Sequence, residues 1–145
     1  MNILFVCTGN TCRSPMAEGL FNKRAQERAV SAKASSCGVG AWPGQKATEN
    51  AVLAAANLGA DISHHRARQA SPEICQQADA IFCMSPSHKA FLVSAELAPE
   101  EKVFVFSPPV PDPFGQSLSV YEKTARHLYN EVEKLLDTIL RGEQF

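Results

Sequence analysis

Val6-Cys7-Thr8-Gly9-Asn10-Thr11-Cys12-Arg13-Ser14-Pro15 joins an apolar run, Asn2 to Val6, to a helical stretch that the pattern opens at Pro15. A strand followed by a short loop and a helix is the layout of an anion-binding turn. Backbone N–H groups in such a loop point inward and the helix contributes the positive end of its dipole, so an anion is held with few side chains. That field is expected to lower the pKa of Cys7, and a thiolate centred in an oxyanion cradle is a nucleophile for phosphorus. Arg13 presents a planar fork that fits two equatorial oxygens of a phosphoryl group. Gly9 and Asn10 are residue types that tolerate positive φ, which a chain curling its amides around one point requires. The Ser14 hydroxyl is placed to donate to the sulfur. Pro15 suits a first helical turn, and Glu18 is expected in that turn, where negative charge is favoured.

Outward from this segment, further strand-like runs at Ala32 to Ser36, Ala80 to Cys83 and Lys102 to Phe106 alternate with helical stretches. The helices are expected from Pro15 to about Arg28, from Ala47 to Leu58 with Gly59 as the stop, from Pro72, and from Pro86 to Leu97 behind Ser85 as N-cap. In the last one, Val120, Tyr121, Ala125, Leu128, Val132, Leu135, Leu136 and Ile139 recur at the spacing of a buried stripe. The alternation predicts a doubly wound α/β fold with a parallel sheet covered on both faces. Ligands of such sheets bind beyond the carboxyl ends of the strands, where Cys7 falls.

The chain has 145 residues, 45% of them hydrophobic, and a formal net charge of -1. One domain spanning residues 1–145 is the natural division. There is no basic excess to suggest nucleic-acid binding and no membrane-length apolar stretch. Five cysteines without a regular framework argue against a disulfide-stapled secreted module, and the apolar start is too short for a signal-peptide core, so the cytoplasm is the expected location. Cys7 and Cys12 have no second close-spaced ligand pair to complete a zinc site, so no metal and no cofactor is expected. Cys37, Cys75 and Cys83 are read as core residues, and His64, His65 and Arg66 to Arg68 as structural or surface groups.

The segment from Cys7 to Glu18 resembles the signature of the low-molecular-weight protein tyrosine phosphatases, and Pro111-Asp112-Pro113-Phe114 resembles that family's late acid loop. Gly59 to Gln69 and Ala78 to Met84 are similar to segments between the two. The resemblance implies a four-stranded sheet in the order 2-1-3-4 and a phosphorylated protein as substrate, from a protein that is a monomer or a weak homodimer. Cys7, Arg13 and Asp112 would be catalytic. Thr8, Gly9, Asn10, Thr11, Cys12, Arg13 and Ser14 would bind the phosphoryl group, while Trp42 and Phe114 would form opposite walls of the cleft. Cys12 reads either as a small packed residue or as the partner of Cys7 in a reversible disulfide, which the resemblance supports.

Within the family, Thr11 replaces a bulky aliphatic residue and Phe114 a tyrosine. Together with Pro43-Gly44-Gln45-Lys46-Ala47-Thr48, they resemble the bacterial protein arginine phosphatase branch. A threonine hydroxyl can meet a polar guanidinium that an aliphatic side chain would leave unpaired. Trp42 suits a phosphotyrosine ring, although it could equally stack on a guanidinium. Phosphoarginine is therefore the favoured substrate and phosphotyrosine the alternative. A thioredoxin-coupled arsenate reductase would need two relay cysteines, and no second one lies near Lys89. A phosphocysteine carrier would need neither Arg13 nor Asp112, and a silent phosphopeptide-binding module would lack one of them.

Overall fold

The computed structural model describes residues 1–145. Strand β1 (Asn2–Cys7) lies between β2 (Lys33–Gly38) and β3 (Ala80–Cys83), and β4 (Val103–Val105) completes a parallel sheet in the order β2-β1-β3-β4. The helices are α1 (Arg13–Glu27), α2 (Glu49–Asn57), α3 (Pro72–Gln76), α4 (Pro86–Ser94) and α5 (Leu118–Leu140). The expected class and strand order are both found.

Two apolar clusters explain why β1 and β3 read as nearly continuous hydrophobic runs. Alternate residues Ile3, Phe5 and Phe82 pack with Met16, Leu20, Phe21, Leu128 and Val132 beneath α1 and α5. Leu4, Val6, Ile81 and Cys83 pack on the other face with Cys75 and Leu92, from α3 and α4. A strand buried on both faces needs apolar residues at every position. Cys37, Cys75 and Cys83 all lie in this second cluster, as expected, and burial pushes the Cys83 thiol up to about 12.

Local signals set the helix ends. Thr48, Ser71 and Ser117 each accept a hydrogen bond from a backbone N–H in the first turn of α2, α3 and α5. Gly59 takes φ 89° past the end of α2. Ser85 caps α4 in extended backbone but turns its hydroxyl elsewhere, and α4 stops at Ser94, short of the expected Leu97. No helix is long and apolar enough to cross a membrane.

One boundary matters for the site. Helix α1 begins at Arg13 rather than Pro15, with Met16 N–H donating to Cys12 C=O at 3.2 Å. Arg13 and Ser14 are thereby wound into the first turn, beside the free N–H groups of the helix end. Glu18 falls beyond that turn, so the expected dipole role is not found. Its carboxylate instead accepts the Ser36 hydroxyl at 2.6 Å.

Candidate active site

Cys7 ends β1 at the floor of an open cleft of about 240 Å³, lined by the loop residues Thr8, Gly9, Thr11, Cys12 and Arg13 and by Gln45, Asp112 and Phe114. The sulfur is 2.8 Å from Ser14 Oγ and accepts the Asn10 backbone N–H at 3.3 Å. Asn10 favours one direction for the Ser14 hydroxyl by occupying one of its lone pairs. Its Nδ2 donates to Ser14 Oγ at 2.7 Å and to Ser36 Oγ at 3.0 Å, while its Oδ1 accepts from Arg68 N–H at 2.9 Å. With one lone pair of Ser14 Oγ so occupied, the hydroxyl proton is free to point at sulfur. The Asn10 N–H and the Ser14 hydroxyl therefore both converge on the Cys7 sulfur.

Burial pushes the Cys7 thiol up from its ordinary value, against the expected net lowering. The Ser14 hydroxyl, the loop N–H groups and the Arg13 charge all act the other way. The sulfur lies deep enough that loss of solvation outweighs them. A second expectation also fails: Asn10 takes positive φ, at 56°, but Gly9 does not. A side chain at Gly9 would meet only Thr11 Oγ1, at an ordinary 3.6 Å. The loop makes its left-handed step once, at the residue whose side chain then holds it.

Arg13 is buried, with Nη1 donating to the Val110 carbonyl at 2.9 Å and Nη2 reaching Thr8 Oγ1 at 3.5 Å. Nη2 also lies 3.6 Å from Asp112 Oδ2, at the rim. The Asp112 side chain is half exposed, and its Oδ1 accepts the Phe114 N–H at 3.1 Å. Thr11 is buried in the wall, and its hydroxyl has one weak neighbour, Cys12 Sγ at 3.8 Å. Cys12 Sγ lies 3.3 Å from the Tyr121 hydroxyl, which burial and this contact push up to about 12.

A family model described as low molecular weight phosphotyrosine protein phosphatase matches residues 2–144. The chain belongs to that family. The protein-arginine-phosphatase of Bacillus subtilis (strain 168) is 37% identical over 143 residues, covering 94% of this chain and 92% of that protein. The low molecular weight protein-tyrosine-phosphatase Wzb of Escherichia coli (strain K12) is 37% identical over 127 residues, covering 83% and 82%. The solved low molecular weight protein tyrosine phosphatase from T. tengcongensis superposes with a TM-score of 0.91 at 41% identity, over 95% of this chain and 99% of that one. The YwlE arginine phosphatase, as a C7S mutant with a phosphorylated active site serine, superposes at 0.90 with 34% identity, over 96% and 95%. This chain is thus a low molecular weight protein phosphatase.

Several residues outside the Cys7 to Pro15 segment brace the phosphatase loop. His65 Nε2 bonds the Asn10 carbonyl at 2.7 Å, and Arg68 Nε donates to the Ser36 carbonyl at 3.1 Å. Gly38 runs so close behind the loop that a Cβ there would lie 2.4 Å from the Thr8 carbonyl oxygen. His88, on α4, contacts Thr8 Oγ1 at 2.9 Å. Gln45 stands on the wall where Trp42 was expected. Trp42 is 79% exposed and lies outside the cleft lining, on a turn in which the Gln45 N–H donates to its carbonyl at 3.2 Å.

Proposed function

We propose that Cys7 attacks phosphorus, that Asp112 protonates the departing atom, and that Asp112, now a carboxylate, takes a proton from the water that hydrolyses the cysteinyl-phosphate. The observation that carries this reading is the shared cleft: a buried sulfur with two converging donors at the floor, Arg13 beside it, and a carboxyl at the rim. A cysteine thiol ordinarily keeps its proton near neutral pH, and in this reading an oxygen of the incoming phosphoryl dianion takes that proton before attack. The resulting thiolate is held by the Ser14 hydroxyl and the Asn10 N–H. Arg13 and the loop amides then stabilise the equatorial oxygens as charge redistributes.

Phosphoarginine is the preferred substrate in this reading. Thr11 lines the cleft and offers hydroxyl lone pairs engaged by no strong donor, so a guanidinium N–H finds an acceptor there. The similarity to the Bacillus subtilis protein-arginine-phosphatase supports the same choice. Cys12, buried in the same loop as Cys7 with both thiols free, is the candidate partner for a reversible disulfide. Specificity constants for matched phosphoarginine and phosphotyrosine peptides test the substrate. Phosphoarginine is expected to be the better by tenfold or more, at about 1.4 kcal/mol per factor of ten. A preference for phosphotyrosine overturns it in favour of the alternative.

A further inference from the structure

His88 is a buried histidine on α4, outside every motif that defines the family resemblance, and both its ring nitrogens are engaged. Nε2 lies 2.9 Å from Thr8 Oγ1, and Nδ1 lies 3.1 Å from Ser85 Oγ. Ser85 is the N-cap residue of α4 yet makes no capping bond with its side chain. Its hydroxyl serves the imidazole and Ser87 Oγ, at 2.8 Å, instead. The side-chain cap bond that a serine at this position usually makes is forgone, and the hydroxyl holds this ring instead.

The Thr8 oxygen is also the acceptor for Arg13 Nη2. A threonine oxygen has one proton and two lone pairs, so a nitrogen fixed at 2.9 Å removes most of its freedom to rotate. With the hydroxyl locked, one lone pair stays turned toward the guanidinium. The other edge of Arg13 is tied to the Val110 carbonyl. Arg13 is therefore clamped from two sides, by the segment after β4 and, through Thr8, by α4. The ring must be neutral for this. Arg13 from α1 and Asp112 from the rim are the charges that act on it, and burial together with Arg13 holds it down at about 4. An imidazolium would set a second cation beside the guanidinium.

We infer that His88 is a positioning residue for the phosphatase reaction, acting through the Thr8 hydroxyl to hold Arg13 in the pose that meets the equatorial phosphoryl oxygens. This rests on the reading that Arg13 grips the phosphoryl group. His88 itself touches no reacting atom. Its loss should therefore be felt in kcat and in the inhibition constant of inorganic phosphate, and should vanish when Thr8 has no hydroxyl.

The test is a double-mutant cycle on a small aryl phosphate, with His88→Leu, Thr8→Val and the pair, alongside His88→Gln and Arg13→Lys. His88→Leu and Thr8→Val are each expected to lower kcat about tenfold, the size of one lost buried hydrogen bond. The pair is expected to be no worse than either, and His88→Gln, which keeps a side-chain partner for Thr8, is expected to recover most of the loss. Losses that multiply in the pair overturn the inference, as does a His88→Leu protein with a lower melting temperature but an unchanged kcat. If His88→Leu does not fold, the cycle is run with His88→Ala, which also removes the partner of Thr8, and losses that multiply with those of Thr8→Val overturn the inference equally. Near-normal turnover in Arg13→Lys overturns the Arg13 reading itself. An impaired Arg13→Lys with multiplying His88 and Thr8 losses overturns only the role of His88.

Discussion

The loop from Thr8 to Cys12 and the loop from Pro111 to Gly115 face each other across one cleft and are built in opposite ways. The first is tied down from every side: Asn10 alone bonds to Ser14, Ser36, His65 and Arg68, and no buried side-chain nitrogen or oxygen lacks a partner. The second is held by local bonds, from the Phe114 N–H to Asp112 Oδ1 and from Gln116 Nε2 to the Asp112 carbonyl, and its Phe114 ring is 65% exposed. Groups that must meet a developing charge are worth most when they need not reorganise, which requires burial and full bonding. A group that must meet many leaving side chains sits at an open rim. In the proposed reading the floor carries the reaction class, and the rim and wall carry the choice of substrate.

The floor breaks most severely at Arg13. Arg13→Lys keeps the charge but loses the fork, and is expected to lower kcat/KM on every substrate by roughly a hundredfold to a thousandfold, read from steady-state kinetics. Turnover within a few-fold of wild type would mean the backbone amides hold the anion alone.

Asp112→Asn acts at the rim, and its effect should depend on the leaving group. Loss of a general acid costs about a hundredfold or more where the departing atom needs a proton, as with a phosphopeptide, and much less with a nitrophenolate, which leaves without one. Equal losses on both would remove Asp112 from the role of acid.

Thr11 stands between the two regions, buried in the loop yet lining the cleft. Thr11→Ile should change the ratio of phosphoarginine to phosphotyrosine turnover by about tenfold to hundredfold in favour of phosphotyrosine, while turnover of a small aryl phosphate stays within a few-fold. An unchanged ratio would move the choice of substrate to Gln45 or Phe114.

The smallest expected effect is on stability. His88 ordinarily titrates at 6.5 and is held at about 4 in the fold, by burial first and Arg13 second. As pH falls through 6.5 the unfolded chain gains this proton and the folded one does not, so stability is lost progressively down to about pH 4. Melting temperatures across that window should fall less steeply in His88→Gln than in wild type. Parallel slopes would remove His88 from the pH response.

What was readable in the chain follows the same division. Cys7, Arg13 and Ser14 sit close in sequence, so their spacing exposes them, whereas Asp112 between two prolines reads locally as a turn and stands out only through the resemblance of Pro111 to Phe114 to the family's acid loop. The alternation of strands and helices gave the sheet for the same local reason. Contacts made across the fold leave a fainter trace: Gly38 looks like any strand end until the loop is seen against it, His88 looks like a surface residue, and the family-like segment holding His65 and Arg68 does not say which carbonyls they hold. Pro15 misplaced the start of α1, because its fitness for a first turn says nothing about whether Arg13 and Ser14 have already joined the helix. Net lowering of the Cys7 thiol was expected from its donors, whereas depth of burial is set by the whole fold.

Rapid quenching of the reaction with a radiolabelled phosphoarginyl peptide, followed by mapping of the protein-bound label, tests most directly whether the buried floor performs the transfer. Label on Cys7 that rises and decays within one turnover, is absent from Cys7→Ala, and persists longer in Asp112→Asn is the predicted result. Turnover without protein-bound label, or label on any other residue, would contradict it.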